Sequence, residues 1–357
     1  MTEPVALRSG PRRLPMVRAE ARDEVDARSG VRVLSTHPVA KPRSVRLSIT
    51  DRCDFACTYC RPSRNDGYAE TRLSLEGWRT TIDGLVAAGV RRVRITGGEP
   101  LIHPQVLEIV RMIAARGVED LALTTNASQL ARLAAPLREA GLSRINVSID
   151  TLDEARFAAI TRGARLAPVL EGIEAARAAG LGPIKLNAVV LRGVNDDELE
   201  PLVRWAWERR LVPRFLEVMP IAEGAKLAPA HLVPVGEMRA RLAQLLADEE
   251  PALEPDRGPA RYVAARHDPS LRVGFISGTS DTYCASCDRL RVSSSGVLRP
   301  CLATDDGVDA REAAERGELE RLPELLAQAW AQKPDGRSFK GCTEPSAAEL
   351  SMRAIGG

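Results

Sequence analysis

Short runs of β-branched and apolar residues alternate with longer Ala-, Leu- and Arg-rich stretches from Ser44 onward. The short runs predict strands at 44–49, 92–96, 120–124, 143–149, 184–191 and 213–219. The stretches between them predict helices near 75–88, 104–116, 128–140, 166–179 and 196–210. This order is typical of βαβ units with a parallel α/β sheet. Six strands are too few for a closed eight-stranded barrel, which leaves an open, partial TIM-like barrel or a doubly wound sheet.

The ends of the predicted helices carry recognisable capping residues. Four helices end at a glycine followed by an apolar residue, the pattern of a left-handed C-terminal cap: Gly89, Gly117, Gly141 and Gly180. The three polar residues 195–197 are the predicted N-cap candidates of the fifth helix.

The pattern changes after about residue 222, where a smaller α+β module is predicted. It has helices near 235–247 and 322–332, a Pro/Gly/Arg-rich stretch at 251–261, and short β runs at 261–266 and 272–276. The predicted organisation is therefore an Arg-rich, partly disordered leader at 1–43, a partial barrel at 44–222 and a C-terminal module at 223–357.

Charge and composition narrow the class of protein. Lys plus Arg is 50 and Asp plus Glu is 48, so the net charge is +2, and 44% of the 357 residues are hydrophobic. These values fit a folded, soluble protein and give no electrostatic reason to expect binding to nucleic acid or to an anionic membrane. The sequence contains no apolar run of membrane-spanning length and no secretory signal, so we expect a cytoplasmic location.

Six of the seven cysteines fall into two tight triplets far apart in the chain. An odd count and clustered spacing do not fit a secreted disulfide framework, which spreads its cysteines along a short chain. The spacing instead indicates metal ligation in a reducing compartment. The seventh cysteine, Cys342, is expected to be a spare thiol.

The first triplet, Cys53, Cys57 and Cys60, has the spacing C-x3-C-x2-C directly after the first predicted strand. Three thiolates on one short loop can hold three corners of an iron–sulfur cube and leave the fourth iron open to a small molecule. A closed zinc site needs a fourth ligand, and no Cys or His follows nearby. Zinc and unliganded buried cysteines remain the alternatives.

A Gly-Gly-Glu sequence, Gly97 to Glu99, follows the second predicted strand. Bare glycines allow a ligand to approach the backbone closely, and Glu99 can support an ammonium group. Together with the first triplet, this motif resembles the radical S-adenosylmethionine (SAM) enzymes. The resemblance implies SAM on the open iron and its one-electron cleavage to a 5′-deoxyadenosyl radical.

The second triplet, Cys284, Cys287 and Cys301, again lacks a fourth ligand. Between its members lie Arg289 and Arg291, which a strand would place on one face, where they suit phosphate or carboxylate recognition. A zinc knuckle and a solvated strand face are the alternatives for these two features.

From Ser44 to Gly357 the sequence resembles the GTP 3′,8-cyclase family of molybdenum-cofactor biosynthesis. The resemblance is carried by RITGGEPL, LTTN, INVSID, KLNAVV, RFLEVMP, CASCDRLRVSSSGVLRPC and the terminal Gly-Gly. It implies two [4Fe–4S] clusters, one at each triplet, with the second contacting GTP.

The resemblance also implies ligand contacts. The implied SAM contacts are Tyr59, Gly98, Ser148 and Met219. The implied GTP contacts are Arg46, Arg94, Thr124, Lys185, Arg289, Leu290 and Arg291. Catalytic roles are implied for the first triplet, Arg289, Arg291, Gly356 and Gly357. Basic residues on the strands of one barrel accord with this, because buried cations need an anion to neutralise them.

The implied reaction converts GTP to (8S)-3′,8-cyclo-7,8-dihydroguanosine 5′-triphosphate, the first step of molybdenum cofactor biosynthesis. The implied partners are an electron-donor protein, the next enzyme of the pathway (cyclic pyranopterin monophosphate synthase) and a second copy of the chain. The sequence departs from the family at residues 37–41, where a Gly-Arg turn is common, and at Arg61, where Met is common.

Two other functions compete with this reading. One is a radical SAM enzyme that modifies a peptide or protein and carries an auxiliary cluster; such enzymes usually have more cysteines in the C-terminal module. The other is a zinc-binding regulatory or nucleic-acid-binding protein, which predicts a basic surface, and the net charge of +2 argues against it.

Overall fold

Parallel strands alternating with helices form the centre of the molecule. The computed structural model describes residues 39, 41–63, 67–249, 252–253, 258–281 and 283–334. The predicted leader except residues 39 and 41–43, the spare thiol Cys342 and the tail residues Gly356 and Gly357 lie outside the described residues.

Six parallel strands lie side by side in chain order, as the alternation of strands and helices predicts. They are β1 (Ser44–Ser48), β2 (Arg92–Thr96), β3 (Asp120–Thr125), β4 (Arg144–Ser148), β5 (Lys185–Val190) and β6 (Val212–Glu217). The helices that cover them are α1 (Leu75–Ala87), α2 (Val106–Ala114), α3 (Leu130–Glu139), α4 (Glu154–Thr161), α5 (Ala167–Ala178) and α6 (Leu199–Glu208).

The C-terminal part of the chain adds strands to both edges of this sheet. Its elements are α7 (Glu223–His231), α8 (Val235–Arg241), β7 (Ala252–Leu253), β8 (Arg261–Ala264), β9 (Arg272–Ile276), β10 (Arg289–Val292), β11 (Val297–Arg299), β12 (Val308–Asp309), α9 (Arg311–Glu315) and α10 (Leu322–Ala331). Strand β10 pairs in parallel with β1, and β9 pairs in parallel with β6. The partial barrel is thereby confirmed, with eight parallel strands rather than six, in the order β10-β1-β2-β3-β4-β5-β6-β9.

Alternation along the strands divides the sheet into two faces. One face carries apolar side chains such as Val45, Leu47 and Ile95, which pack in a buried core with apolar residues of the helices. The other carries mostly polar side chains, and we call it the polar interior. Because side chains of a strand alternate with a period of two, this pattern fixes which strand residues face a ligand in the barrel.

The helix ends agree with the capping pattern at the glycines and differ from it elsewhere. Gly89, Gly117, Gly141 and Gly180 all have the positive φ that a left-handed cap requires. Helix α6, however, begins after Glu198, and Asn195 instead closes the loop after β5: its side-chain oxygen accepts from the Leu191 amide at 2.8 Å. Within the described residues, none of the helices is long and apolar enough to cross a membrane.

Candidate active site

Nine basic side chains occupy the polar interior of the described parallel strands. Strand register places them on the same face: Arg46, Arg92, Arg94, Arg144, Lys185, Arg214, Arg272, Arg289 and Arg291. The one acidic residue at an interior position of these described strands is Asp120. Collecting cations away from bulk water is costly unless a counter-charge neutralises them, so this interior is built for a polyanion.

Hydrogen bonds within the protein hold some of these basic side chains in place, while other N–H donors of the set have no partner among the described residues. The Arg214 guanidinium donates to the side-chain oxygen of Asn146 at 2.7 Å, and Lys185 Nζ lies 2.8 Å from the Tyr262 hydroxyl. The Nε atoms of Arg94 and Arg214 are buried and have no hydrogen-bond partner among the described residues. Buried donors without partners are rare in folded proteins, and here they point to a bound acceptor.

A small cavity of about 30 Å³ lies at the amino ends of β1 to β4, lined in part by Arg46, Arg94 and Arg289. Two ion pairs flank it. Arg144 Nε donates to the Asp120 carboxylate at 2.6 Å, and Arg92 pairs with Asp288. The ion pairs fix the arginines at the rim and leave the deeper guanidiniums as the donors for a ligand.

Burial and mutual repulsion shift the pKa values of three interior cations downward. Burial, and then Arg214, lowers the pKa of Lys185 to about 6, and burial lowers the pKa of Arg94 to about 9. Burial together with Arg289 lowers the pKa of Arg291 to about 10. An anion placed among these groups would reverse the shifts, because an opposite charge favours the protonated form.

The first cysteine loop, residues 53–61, follows the carboxyl end of β1. Its turn is closed by the amides of Cys60 and Arg61, both of which donate to the Cys57 carbonyl at 3.0 Å. The Phe55 amide donates to Cys53 Sγ at 3.4 Å. Burial is the main cause that raises the pKa values of Cys53 and Cys57. Cys60 raises the pKa of Cys53 further, and Cys60 and Cys53 both raise that of Cys57, as expected for sulfurs held close together.

Helix α4, which the sequence pattern did not predict, is the platform under this loop. The Ala56 and Thr58 amides donate to the carbonyls of Thr161 and Ile160 at 3.3 and 3.0 Å. The helix begins after Asp153, whose side chain accepts from the Arg156 amide. Its last carbonyls are thus satisfied by the loop, as the exposed acceptors of a helix C-terminus require.

Tyr59 is fixed from the opposite side of the barrel. Its hydroxyl donates to Asp150 Oδ2 at 2.8 Å, and Asp150 Oδ1 accepts from the Val189 amide at 2.8 Å. Burial raises the pKa of Asp150 to about 6 and raises that of Tyr59 as well. Asp150, which sequence reasoning missed, therefore sets the position of a predicted SAM-contact residue.

The Gly-Gly-Glu turn lies against the start of the first cysteine loop. A Cβ on Gly97 would collide with the Thr50 carbonyl oxygen, and one on Gly98 with that of Arg52. The Gly98 amide donates to the Thr50 carbonyl at 2.7 Å. The glycines are thus required by the close approach of two backbone segments, which the sequence reading had attributed to a ligand.

The carboxylate of Glu99 is bound by groups of the protein itself. It accepts from the Leu101 amide at 2.9 Å, the Thr125 hydroxyl at 2.7 Å and the Asn126 amide at 2.6 Å, and its exposed fraction is 1%. Burial raises its pKa to about 7. Both oxygens are engaged by the protein, so Glu99 ties β3 to the motif, and support of an ammonium group by Glu99 stays a prediction.

Three other predicted contact residues lie near the same mouth of the barrel. Ser148 ends β4 and is half-buried. Thr124 lies on β3, and its hydroxyl accepts from the Asn146 side-chain amide at 3.2 Å. Met219 packs its side chain against Gly278, where a Cβ would lie 2.7 Å from Met219 Cγ. The polar interior thus brings SAM-type and GTP-type predicted contacts into one barrel.

The second cysteine triplet lies beside the amino end of β10. Arg289 donates through Nε and Nη2 to Cys287 Sγ, both at 3.4 Å. Burial alone would raise the pKa of Cys287, but Arg289 and Lys333 outweigh it and lower the pKa to about 6. The thiolate, which is the form that binds metal, is therefore favoured at neutral pH.

Leu290 differs from its predicted neighbours Arg289 and Arg291. Its side chain is fully buried in the apolar core on the helix side of the sheet. Because alternate residues of β10 face opposite ways, only the backbone of Leu290 faces the interior. A GTP contact of Leu290 stays a prediction, and it would be made through the backbone.

The two triplets lie at opposite ends of the paired strands β1 and β10, with the polar interior between them. The first cysteine loop follows the end of β1, whereas Cys287 precedes Arg289, the partner of Ser44 at the start of β1. Five strand residues span about 16 Å. Ligands held at the two triplets would therefore face each other across the arginines between them.

The donor chemistry of both triplets fits iron–sulfur cubes. All six of their cysteines are free thiols. Within the part of the chain that is described, no three His, Cys, Asp or Glu side chains are arranged around a single metal ion. A cube takes each thiolate at a different iron, so three cysteines per site can serve a cube without converging on one ion.

Several site residues escaped sequence reasoning. The period of two along each strand could have identified Asn146 and Arg214, because both occupy interior positions of their strands. Tyr262, on β8, reaches Lys185 across 77 positions of sequence, and no sequence signal marks that pairing. Asp150 and Lys333 likewise act through contacts that only the tertiary structure creates.

Comparison with known proteins identifies the family of this chain. The family model for the radical SAM superfamily matches residues 47–206, and the model for Molybdenum Cofactor Synthesis C matches residues 211–339. SuiB of Streptococcus suis, solved bound to precursor peptide SuiA, has a similar fold with a TM-score of 0.60 at 15% identity, over 83% of this chain and 66% of SuiB.

Among curated relatives, GTP 3′,8-cyclase 1 of Pseudomonas aeruginosa is 43% identical over 304 residues, 84% of this chain and 92% of the relative. GTP 3′,8-cyclase of Paracoccus denitrificans is 40% identical over 321 residues, 88% of this chain and 92% of the relative. With both family models matched in order and this identity across most of both chains, the chain belongs to the GTP 3′,8-cyclase family of the radical SAM superfamily.

Proposed function

We propose that this chain converts GTP to (8S)-3′,8-cyclo-7,8-dihydroguanosine 5′-triphosphate, the first step of molybdenum cofactor biosynthesis. The single observation that carries the proposal is the cationic polar interior placed between two cysteine triplets. A nucleoside triphosphate supplies the several negative charges that this interior lacks. Family membership supports the same reaction, since the relatives are cyclases of GTP.

The arginines and the lysine of the interior are proposed to bind the triphosphate. Arg94 and Arg214 offer buried Nε donors, and Arg46 and Lys185 lie on neighbouring interior positions. Guanidinium groups suit phosphate oxygens because they donate two parallel hydrogen bonds. Fixed in this way, the ribose would be held between the two triplets.

Cys53, Cys57 and Cys60 are proposed to hold one [4Fe–4S] cluster, and Cys284, Cys287 and Cys301 a second one. When bound, the first cluster and SAM supply a one-electron cleavage that yields the 5′-deoxyadenosyl radical. Tyr59 is proposed to orient SAM, because Asp150 fixes its hydroxyl. Ser148, Met219 and the backbone of Gly98 line the same mouth and are proposed as further SAM contacts.

The buried setting has a second role. A reactive radical would be lost to side reactions in an open site, so the site must be closed to solvent. The apolar core behind β1 to β4 and the packed cysteine loop close the barrel from the helix side. The predicted participation of Gly356 and Gly357 rests on the sequence resemblance.

We also propose a cytoplasmic location, an external electron-donor protein, delivery of the product to the next enzyme of the pathway and a homodimer. The six free thiols accord with a reducing compartment. The electron donor is required because the cleavage consumes one electron that the chain does not carry.

The test is anaerobic reconstitution with iron and sulfide, followed by iron counting and incubation with SAM, reductant and GTP. We expect about eight irons per chain, because two cubes carry four each, and 5′-deoxyadenosine formation that depends on GTP and not on ATP. About four irons, or deoxyadenosine formation that ignores the nucleotide, would contradict the proposal.

A matched pair of variants tests the triphosphate site. Arg94→Met removes an interior guanidinium, whereas Arg91→Met removes an exposed one whose side chain donates to backbone carbonyls at the surface. We expect Arg94→Met to raise the Kd for GTP by about tenfold or more, the effect of a lost charge-assisted hydrogen bond. Arg91→Met should leave the Kd within about twofold of the parent value.

A further inference from the structure

A buried arginine follows the third cysteine of the first cysteine loop. The exposed fraction of Arg61 is 2%. Its Nη1 atom donates to the carbonyl oxygens of Cys53 at 3.4 Å and Phe55 at 3.3 Å. Arg61, the last residue of the loop, thus binds carbonyl oxygens of residues near the start of the loop.

A second arginine holds the same loop from the side of helix α4. Arg162 Nη1 donates to the carbonyls of Ala56 at 3.1 Å and Arg61 at 2.7 Å. Arg162 occupies the left-handed C-cap of α4, with φ of 58°. This conformation is unfavourable for a non-glycine residue, and the two hydrogen bonds at the loop offset its cost.

The four carbonyls held by these guanidiniums belong to one nine-residue segment, residues 53–61. With these carbonyls held by the guanidiniums, and the Ala56, Thr58, Cys60 and Arg61 amides bonded to other carbonyls, the Phe55 amide is directed at a thiol. It donates to Cys53 Sγ at 3.4 Å. Amide donors to ligand sulfurs are among the contacts that set the potential of an iron–sulfur cluster.

We propose that Arg61 and Arg162 form a guanidinium clamp that holds the first cysteine loop in its ligating conformation before iron is loaded. Both are positioning residues, because they act through loop carbonyls and not on the substrate. The inference rests on the proposed cluster at Cys53, Cys57 and Cys60. Each thiolate adds negative charge, and reduction adds more, so the buried Arg61 cation also favours the reduced state of the cluster.

The test uses the full chain with Cys284, Cys287 and Cys301 changed to Ser, so that iron reports on the first triplet alone. In this background we compare Arg61→Met, Arg61→Lys and Arg162→Met with Arg52→Met. Arg52 is the matched control: it is exposed, and its guanidinium lies 5.9 Å from the Tyr68 ring, as Arg61 lies 5.5 Å from the same ring.

The first readout is hydrogen exchange of the metal-free protein. We expect Arg61→Met to speed exchange of the amides of residues 55–61 by about tenfold, because a lost hydrogen bond to a charged donor corresponds to roughly that factor or more. Arg162→Met should act in the same segment, Arg61→Lys should restore part of the protection, and Arg52→Met should change nothing. The Arg162 variant carries the test if Arg61→Met does not fold.

The second readout is the cluster itself, by iron content at limiting iron and by a potentiometric titration followed by electron paramagnetic resonance. Arg61→Met should bind less iron and shift the reduction equilibrium about tenfold toward the oxidised state, which is ~59 mV for a one-electron couple. Equal iron content, equal potential and equal exchange in Arg61→Met and Arg52→Met would overturn the clamp alone. A parent background that binds no iron would overturn the cluster assignment and the clamp with it.

Discussion

Lys185 should make GTP binding depend on pH. Its exposed fraction is 1%, and burial with the surrounding cations lowers its pKa to about 6. The charged residues that act on it are Arg94, Arg144, Arg214 and Arg272. Tyr262 is its hydrogen-bond partner, at 2.8 Å. At pH 8 the ligand-free amine is therefore about 1% protonated, as follows from a pKa two units below the pH.

Binding of the triphosphate should restore the charge. Protonating Lys185 at pH 8 without a ligand costs ~2.7 kcal/mol, at 1.36 kcal/mol per pH unit. The bound anion raises the pKa of the amine above the working pH, so binding takes up close to one proton. The sign follows: affinity is greatest at low pH and falls as pH rises above the free pKa of about 6.

The assay is calorimetric titration of the anaerobic holoprotein with GTP, between pH 7.5 and 8.5, in buffers that differ in ionisation enthalpy. The terminal phosphate is already ionised in this range, since its own pKa is about 6. We expect uptake of nearly one proton and a Kd that rises about tenfold per pH unit. Lys185→Arg should bind with no uptake by this residue, and Lys185→Met should bind weakly and with little dependence on pH.

The control is Lys226→Met, which removes an exposed lysine of α7 that pairs with Glu223 at 2.6 Å. It should keep the proton uptake and the pH slope of the parent protein. No proton uptake by the parent at pH 8, or an unchanged slope in Lys185→Met, would refute the reasoning.

Two further predictions concern the cysteine triplets and the motif that supports them. Cys284→Ser should retain SAM binding, measured by equilibrium dialysis, and lose GTP-dependent 5′-deoxyadenosine formation; loss of SAM binding would mean that the roles of the triplets are reversed. Glu99→Ala should lower the free energy of unfolding of the metal-free protein by about 2–4 kcal/mol in urea, because it strands two buried amides. Thr125→Ala removes one donor to Glu99 and strands the Ala127 amide, which donates to the Thr125 hydroxyl at 2.9 Å. It should therefore cost less than Glu99→Ala, and an equal cost for both would contradict the proposed tie.

The strand pattern predicted the fold well because burial and periodicity are local signals. The bounds of β2, Arg92–Thr96, and β9, Arg272–Ile276, are those that the pattern predicts. Helix α4 was missed because it is short, although Gly163 follows its C-cap Arg162 just as Gly89 follows the C-cap of α1. A left-handed arginine carries no sequence signal; the contacts at the first cysteine loop stabilise it.

The candidate site was predictable where side chains lie on strands and not where they meet across the fold. Alternation places Arg46, Arg94 and Lys185 on one face, as expected. The same rule places the Leu290 side chain on the other, apolar face. The engagement of Glu99 by β3 depends on the spacing of two strands. The spacing of two strands depends on side-chain packing, which cannot be read from the sequence directly.

The pairing of β1 with β10 has a consequence for how the protein is made. Strand β1 is among the first elements to leave the ribosome, yet the strand that covers its edge is encoded near the end of the chain. Until then the nascent barrel presents bare edges at β1 and β6, which invite pairing with other chains. The part of the chain that covers those edges also carries the second cysteine triplet, so that the triplet is completed only after both edges have been covered.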